Sequence, residues 1–410
     1  MPGSECDVVV VGGGIAALTA AAIARRGGSS VHLIEAHRLG GRAQSDNRRG
    51  FIFNRGPHGL YDRGPGWAVL KALGVKVSGS PAPITGAWAL RGGHLFTLPT
   101  SPASLVRTDM FSPMERVSFG RILSSLPRKI TPDLVAMSAR EWCAKFAARQ
   151  VVSEVVQALI RLSTYASDLD GLSADAAVAQ LRLSTRGVTY LDGGWQTIVN
   201  GLEQVARASG VAISLGHAVT HLERTPTGVV VGVGDDEIVG RSLVLAVGSP
   251  ETTARLLPGA VPEGLGAPAQ ATCVDYGLTV PPPHRFILGI DEPLYLSLHA
   301  PKAKLAPPNH AVLCAMAYGP PAETSVDRLD QLVATAGVES STILERRVLS
   351  SMTVAHSLPR PKCGLGGRPG ITVAGTDNCF LAGDWVGKEG LLADAALASG
   401  LAAGTAAAQR

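Results

Sequence analysis

The segment from Cys6 to Glu35 constrains this chain more than any other. Cys6 to Val11 reads as a short apolar strand of the kind buried in a parallel sheet. Gly12, Gly13 and Gly14 break it, and Ile15 to Arg26 then carries alanines and spaced aliphatics in a helical pattern. Val31 to Ile34 forms a second apolar run closed by Glu35, giving one βαβ unit of about 30 residues. Gly12 permits the tight turn, Gly14 lets a pyrophosphate approach the backbone, and Ala17 is small enough for close helix-to-strand packing. The start of the helix offers unpaired N–H groups and a positive dipole end to phosphates. Glu35 follows Gly14 by 21 residues. A carboxylate there accepts both ribose hydroxyls of an adenosine and repels a 2′-phosphate, which disfavours NADP.

Three further stretches extend this grip. In Arg38-Leu39-Gly40-Gly41-Arg42 the glycines let the chain pass close to phosphates, and Arg42 can neutralise one of them. In Asn54-Arg55-Gly56-Pro57-His58 a rigid Gly-Pro turn can press backbone against a flat ring. Near the end, Asn378 to Ala382 reads as a strand running into Gly383-Asp384, and Ala393 to Ala408 is an alanine-rich helix. A helix starting near Leu391 aims its N–H groups, and the stabilisation of negative charge they bring, at one side of that ring.

Composition narrows the class. A chain of 410 residues exceeds the ~250–300 at which single cores stop growing, so two domains are expected. A hydrophobic content of 46% supports large cores, and charged residues, at 17%, fall below the usual ~25%. The formal charge of +4 is modest and no Lys/Arg block has nucleic-acid character, so no nucleic-acid partner is expected. None of the six cysteines forms a C-x-x-C pair or other metal spacing, so most read as inert buried thiols and no metal is expected. Met1 to Asp7 has no basic n-region, and the expected home is the reducing cytoplasm. No apolar run reaches the ~18 residues of a membrane span.

The stretch from Asp7 to Arg42 resembles the superfamily of flavin-containing amine oxidases, protoporphyrinogen oxidases and phytoene desaturases. Leu191-Asp192-Gly193-Gly194-Trp195 resembles its second fixed segment, and Ala382-Gly383-Asp384 its terminal motif. The resemblance implies an α/β fold: a Rossmann-like FAD-binding domain of the glutathione-reductase and amine-oxidase type, with a discontinuous α+β substrate domain. It implies FAD domain segments at residues 1–80, 191–250 and 365–410, and a substrate domain at 81–190 and 251–364. The terminal aspartate, Asp384, is expected at the ribityl or pyrophosphate region, and Val219 against the adenine. The full expected FAD-contacting set is Gly12, Gly14, Ala16, Ala17, Glu35, Ala36, Gly41, Arg42, Gly56, Pro57, His58, Val219, Gly383, Asp384, Leu391 and Leu392.

Hydride transfer to a flavin needs little acid–base machinery, since the cofactor does the hard step and the protein orients and excludes water. The candidates for direct catalysis are His58, Tyr276 and Lys388, with Tyr61, Tyr165, Asp275 and His299 as further pocket groups. Amine oxidases of this superfamily commonly hold a lysine near the reactive flavin nitrogen. The strand Ala271–Tyr276, where it is sought, has none, and Lys302 and Lys304 are the nearest downstream. The expected reaction is therefore desaturation or dehydrogenation of a C–H bond in a mostly apolar small molecule. A flavin amine oxidase, a redox-neutral flavin isomerase and a flavin-free escort-like interaction protein are the alternatives. Residues 101–165 are expected to form amphipathic helices over the substrate cavity; relatives with apolar substrates dock on membranes by such segments, and peripheral membrane contact is the alternative expectation.

Overall fold

The computed structural model describes residues 4–225 and 227–410. Met1 to Asp7, read above for a basic n-region, therefore lies partly outside the described residues. The Val8–Val11 segment is almost fully buried because it is paired on both sides and covered on both faces. Ser4–Val11 lies parallel to Val31–Glu35 on one edge and to Asp236–Leu245 on the other. Ala212–Leu215 extends the sheet beyond Val31–Glu35, again in parallel. Asp236–Leu245 divides its free edge: its first half pairs antiparallel with Gly228–Val233, and its last residues pair parallel with Cys379–Leu381. Strands drawn from the start, middle and end of the sequence thus share one sheet. Gly228–Val233 and Asp236–Leu245 thus form an antiparallel hairpin.

Strand alternation decides what covers each face. Val8 and Val10 pack under the helices Ile15–Arg26 and Leu392–Ala408, whereas Val9 and Val11 face Val229, Val231 and Trp385. The first and last helices lie against each other through small residues. A Cβ at Gly400 would sit 2.5 Å from the Ala16 carbonyl oxygen, and one at Gly404 would sit 2.4 Å from that of Ala20. The terminal helix begins within two residues of the expected position.

The second sheet runs in the order Ile343–Ala355, Ala269–Leu278, Ala311–Tyr318, Leu294–Ala300, Phe286–Gly289, Trp88–Arg91, His94–Thr97. One face packs Val274, Tyr276 and Leu278 against the helix Val326–Thr335. The other presents Ala271, Cys273 and Met316 to a helical layer that includes Gln150–Thr164 and Ala174–Ser184. Between Pro102 and Thr164 the chain forms five helices, as the amphipathic pattern predicts. Among the described residues, no helix is long and apolar enough to cross a membrane.

The helix contact generates a direct prediction. Gly404→Val forces a side chain into backbone, and should lower unfolding free energy by about 1–3 kcal/mol in a denaturant titration. Gly366→Ala, where a Cβ meets nothing within 4 Å, should change it little.

Candidate active site

A cavity of about 1160 Å³ runs between the two sheets, larger than the ~300–1,000 Å³ of ordinary small-molecule pockets. Its walls come from both ends of the chain: Gly12 to Ala16, Glu35 to His37, Gly40 to Ala43, Arg55 to Tyr61, Val219, Gly383, Asp384 and the start of the terminal helix.

The glycines test whether an extended dinucleotide fits. Gly12 has φ +115°, and a Cβ there would lie 2.3 Å from the Ala246 carbonyl oxygen, so only glycine makes this turn. A Cβ at Gly14 would meet nothing within 4 Å, which leaves open space at the helix N-terminus where phosphates are expected. The second glycine loop is fastened to the first: the Gly40 N–H donates to the Gly13 carbonyl at 2.7 Å. A Cβ on Gly13 would lie 2.7 Å from the Glu35 side chain, so the bare glycine lets Glu35 lie across the loop. Glu35 accepts the His37 N–H at 2.9 Å. Ala36, His217 and Val219 complete this end of the cavity.

Midway along, Arg42 and Asp384 are partners of each other, with Nη2 to Oδ1 at 2.8 Å. His356 adds two bonds to the same carboxylate, from its backbone N–H at 2.9 Å and from Nδ1 at 2.8 Å. Burial alone would raise the Asp384 carboxyl; Arg42 and His356 outweigh it and hold the group well below the usual carboxylate range.

At the far end, Gly56-Pro57-His58 turns toward the cavity with Gly56 at φ +90°. Tyr165 Oη donates to the Pro57 carbonyl at 3.0 Å, and Arg347 donates to the Asn54 carbonyl, so the turn is braced from two sides. His58 Nδ1 donates to the Gly56 carbonyl at 3.0 Å, which leaves Nε2 as the acceptor. Its ring stands edge-on to Trp195. Burial pushes His58 down to about 4, so it is neutral at physiological pH. Behind it, His299 lies 4.1 Å from the Tyr190 ring, and Tyr190 Oη bonds Tyr295 Oη and Ser297 Oγ, each at 2.8 Å. Burial first, then His58, pushes His299 down to about 3. Tyr61 donates to the Ser163 carbonyl at 2.8 Å, and the Tyr165 ring stands edge-on to Tyr318. Five of the six tyrosines therefore gather at this end.

Several expected residues lie elsewhere. Tyr276 is a correction: strand alternation turns it to the opposite face, where its hydroxyl bonds Asp330 beneath the helix Val326–Thr335. Lys388 is exposed on its loop and outside the cavity, as are Lys302 and Lys304. Among the described residues, no lysine lines the cavity. Ala17 is buried beneath the glycine loop, and Leu391 caps the terminal helix behind Leu392, which does reach the cavity wall. Asp275 is buried in an ion pair with Arg347. The fold also brings Cys273, Asp275 and Cys314 within 4.8 Å of one another, a grouping that linear cysteine spacing does not show. Burial pushes the Cys273 thiol up to about 11, which keeps it protonated.

Sequence reasoning missed Arg347 and His356. Arg347 carried a readable signal, a charge at an inward position of an alternating strand. His356 follows the end of that strand and had none.

The class of protein is defined by this arrangement: a flavin-dependent oxidoreductase of the two-sheet, dinucleotide-binding type. Residues 14–297 match the model of the flavin containing amine oxidoreductase family, and the chain belongs to that family. The family is flavin-containing. Over 196 residues the chain is 28% identical to coproporphyrinogen III oxidase of Propionibacterium freudenreichii subsp. freudenreichii, covering 45% of this chain and 36% of that protein's length. Two solved structures share the fold. Putrescine oxidase bound to putrescine aligns at TM-score 0.74 and 15% identity, over 100% of both chains. Cyclohexylamine oxidase from Brevibacterium oxydans IH-35A aligns at 0.72 and 17%, over 98% of both.

Asp394 yields a pH prediction. It lines the cavity in the first turn of the terminal helix, with Oδ1 accepting the Gly66 N–H at 2.8 Å and Oδ2 buried without a partner. Burial pushes its carboxyl up to about 6. A raised carboxyl stabilises the fold while protonated, and that contribution is lost as pH rises from about 4 through about 6. Asp394→Asn should remove this slope and leave the protein up to about 3 kcal/mol more stable than wild type at pH 7, read from denaturant midpoints at several pH values.

Proposed function

We propose that this enzyme oxidises a C–H bond of a mostly apolar small molecule. The supporting observation is the chamber at the His58 end of the cavity, where His58, Tyr61, Tyr165 and Trp195 stand as uncharged groups beside Arg55 and Asp394. His58 is held neutral, and burial pushes the phenols of Tyr61 and Tyr165 upward, while His299 and Tyr190 stand behind the wall. Such walls offer hydrogen bonds and aromatic faces to an apolar substrate. When bound, FAD supplies the two-electron acceptor. The chain's own residues do the rest. Glu35 holds the adenosine ribose, the glycine loops admit the pyrophosphate, and the Gly56–His58 turn borders the ring. His58 Nε2 is the group that can receive a proton or a substrate N–H. The absence of a lysine from the cavity wall favours desaturation or dehydrogenation over amine oxidation.

In this reading the FAD domain comprises residues 1–80, 191–250 and 365–410, and the substrate domain 81–190 and 251–364. The strand membership of the two sheets supports that division. Family membership favours a second reading, oxidation of an amine, for which the tyrosine faces provide cation–π contacts. Peripheral membrane contact is supported by the exposed Val106, Met114, Val117 and Phe146 on helices rich in Arg and Lys.

Anaerobic mixing with candidate substrates tests the reaction. A true substrate should bleach the flavin band near ~450 nm; activity seen only after prior reduction, without loss of reducing equivalents, would mean a redox-neutral isomerase. His58→Phe should lower the rate of bleaching about 100-fold or more, the lower bound for a lost acid–base group. In wild type that rate should be flat from pH 6 to 8 so far as His58 governs it, and fall as pH drops toward 4. Glu35→Ala should weaken FAD binding roughly 10- to 150-fold per charge-assisted bond lost, measured by flavin fluorescence.

A further inference from the structure

Asp384 is 3% exposed, and its carboxylate is already saturated. Oδ1 accepts from Arg42 Nη2 and His356 Nδ1, both at 2.8 Å. Oδ2 accepts from Arg42 Nη1 at 3.2 Å and the His356 N–H at 2.9 Å. An ionised carboxylate has about four lone-pair sites. A cofactor hydroxyl can therefore reach Asp384 only by displacing a bond already made. Arg42 is also committed, since its Nη1 donates to the Val354 carbonyl at 2.6 Å.

His356 is placed differently. A carboxylate only accepts, so Nδ1 carries the proton in that bond, and in the neutral ring Nε2 is left as an acceptor. Among the described residues, no hydrogen bond to Nε2 is formed, and the ring lines the cavity beside Gly12, Arg42 and Gly248. A Cβ on Gly248 would come within 3.8 Å of Cε1, the carbon next to Nε2. The Asp384 carboxylate thus fixes both the tautomer and the direction of a ring whose far nitrogen is free.

We propose that His356 is the direct cofactor contact at this point of the cavity, its Nε2 accepting a hydroxyl of the FAD ribityl chain, and that Asp384 is the positioning residue that aims it. The proposal rests on the FAD reading above. It assigns to the imidazole a duty that the terminal motif alone would give to the aspartate.

Asparagine and glutamine separate the two nitrogens. The amide of His356→Asn stands near Nδ1 and keeps the bond to Asp384, whereas that of His356→Gln reaches the position of Nε2. FAD dissociation from the purified holoenzyme is followed on dilution by flavin fluorescence, and ADP, which lacks the ribityl chain, serves as a displacing ligand. Wild type must release FAD as a bound cofactor; a wild-type protein that never holds FAD refutes the cofactor reading instead. The expected result is FAD affinity lower by about 3- to 10-fold in His356→Asn, the worth of one neutral hydrogen bond. His356→Gln should bind FAD more tightly than His356→Asn, short of wild type because it lacks the bond to Asp384, and the ADP displacement constant should be unchanged in both. His356→Asn binding FAD like wild type, His356→Gln as weak as His356→Asn, or a parallel loss of ADP affinity would each overturn the assignment.

Discussion

The structure depends on the return of the chain's tail to its first strand. Cys379–Leu381 pairs in parallel with Leu243 to Leu245, which in turn pairs with Val9 to Val11. Buried main-chain groups of three distant segments satisfy one another only in this arrangement, and an unpaired buried N–H or C=O costs about 1–3 kcal/mol. The same return lays Gly400 and Gly404 on the carbonyls of the first helix. The terminal helix then starts at the cavity wall, and Asp384 arrives opposite Arg42. The site is therefore a consequence of sheet closure.

A second constraint holds the chamber to this frame. Arg347, from the edge strand of the second sheet, reaches Asp275 on the neighbouring strand, Asp46 on a separate hairpin and the carbonyls of Phe53 and Asn54. Its guanidinium also stacks over Phe53. Burial pushes the Asp275 carboxyl up even with this partner, so the pair matters most when intact: removing one member strands a buried charge. Through Asn54 the same arginine sets the approach of Gly56 and His58 to the cavity, and so joins packing to chemistry.

Much of this was legible in the sequence because it is local. The strand, glycine turn, helix and acid from Cys6 to Glu35 each carry their own signal, and the cavity wall contains Gly12, Gly14, Glu35, Gly41 and Arg42 where the spacing put them. Position relative to a sheet face was less legible. Asp275 and Tyr276 are adjacent, and only the register of Ala269–Leu278 against its neighbours turns the first inward and the second outward. Pairings across 300 residues, such as Arg42 with Asp384 and Arg347 with Asp46, leave no periodic trace. The grouping of five tyrosines is likewise a product of packing, since they are scattered from residue 61 to 318.

The central claim is that head and tail of the chain clasp one FAD together. Amide hydrogen exchange with and without FAD tests it most directly, because it reports each segment separately. The account predicts that FAD slows exchange in residues 12–17, 35–42 and 383–396 together, at one and the same FAD concentration. Protection confined to the N-terminal segments, with 383–396 unchanged, would contradict it.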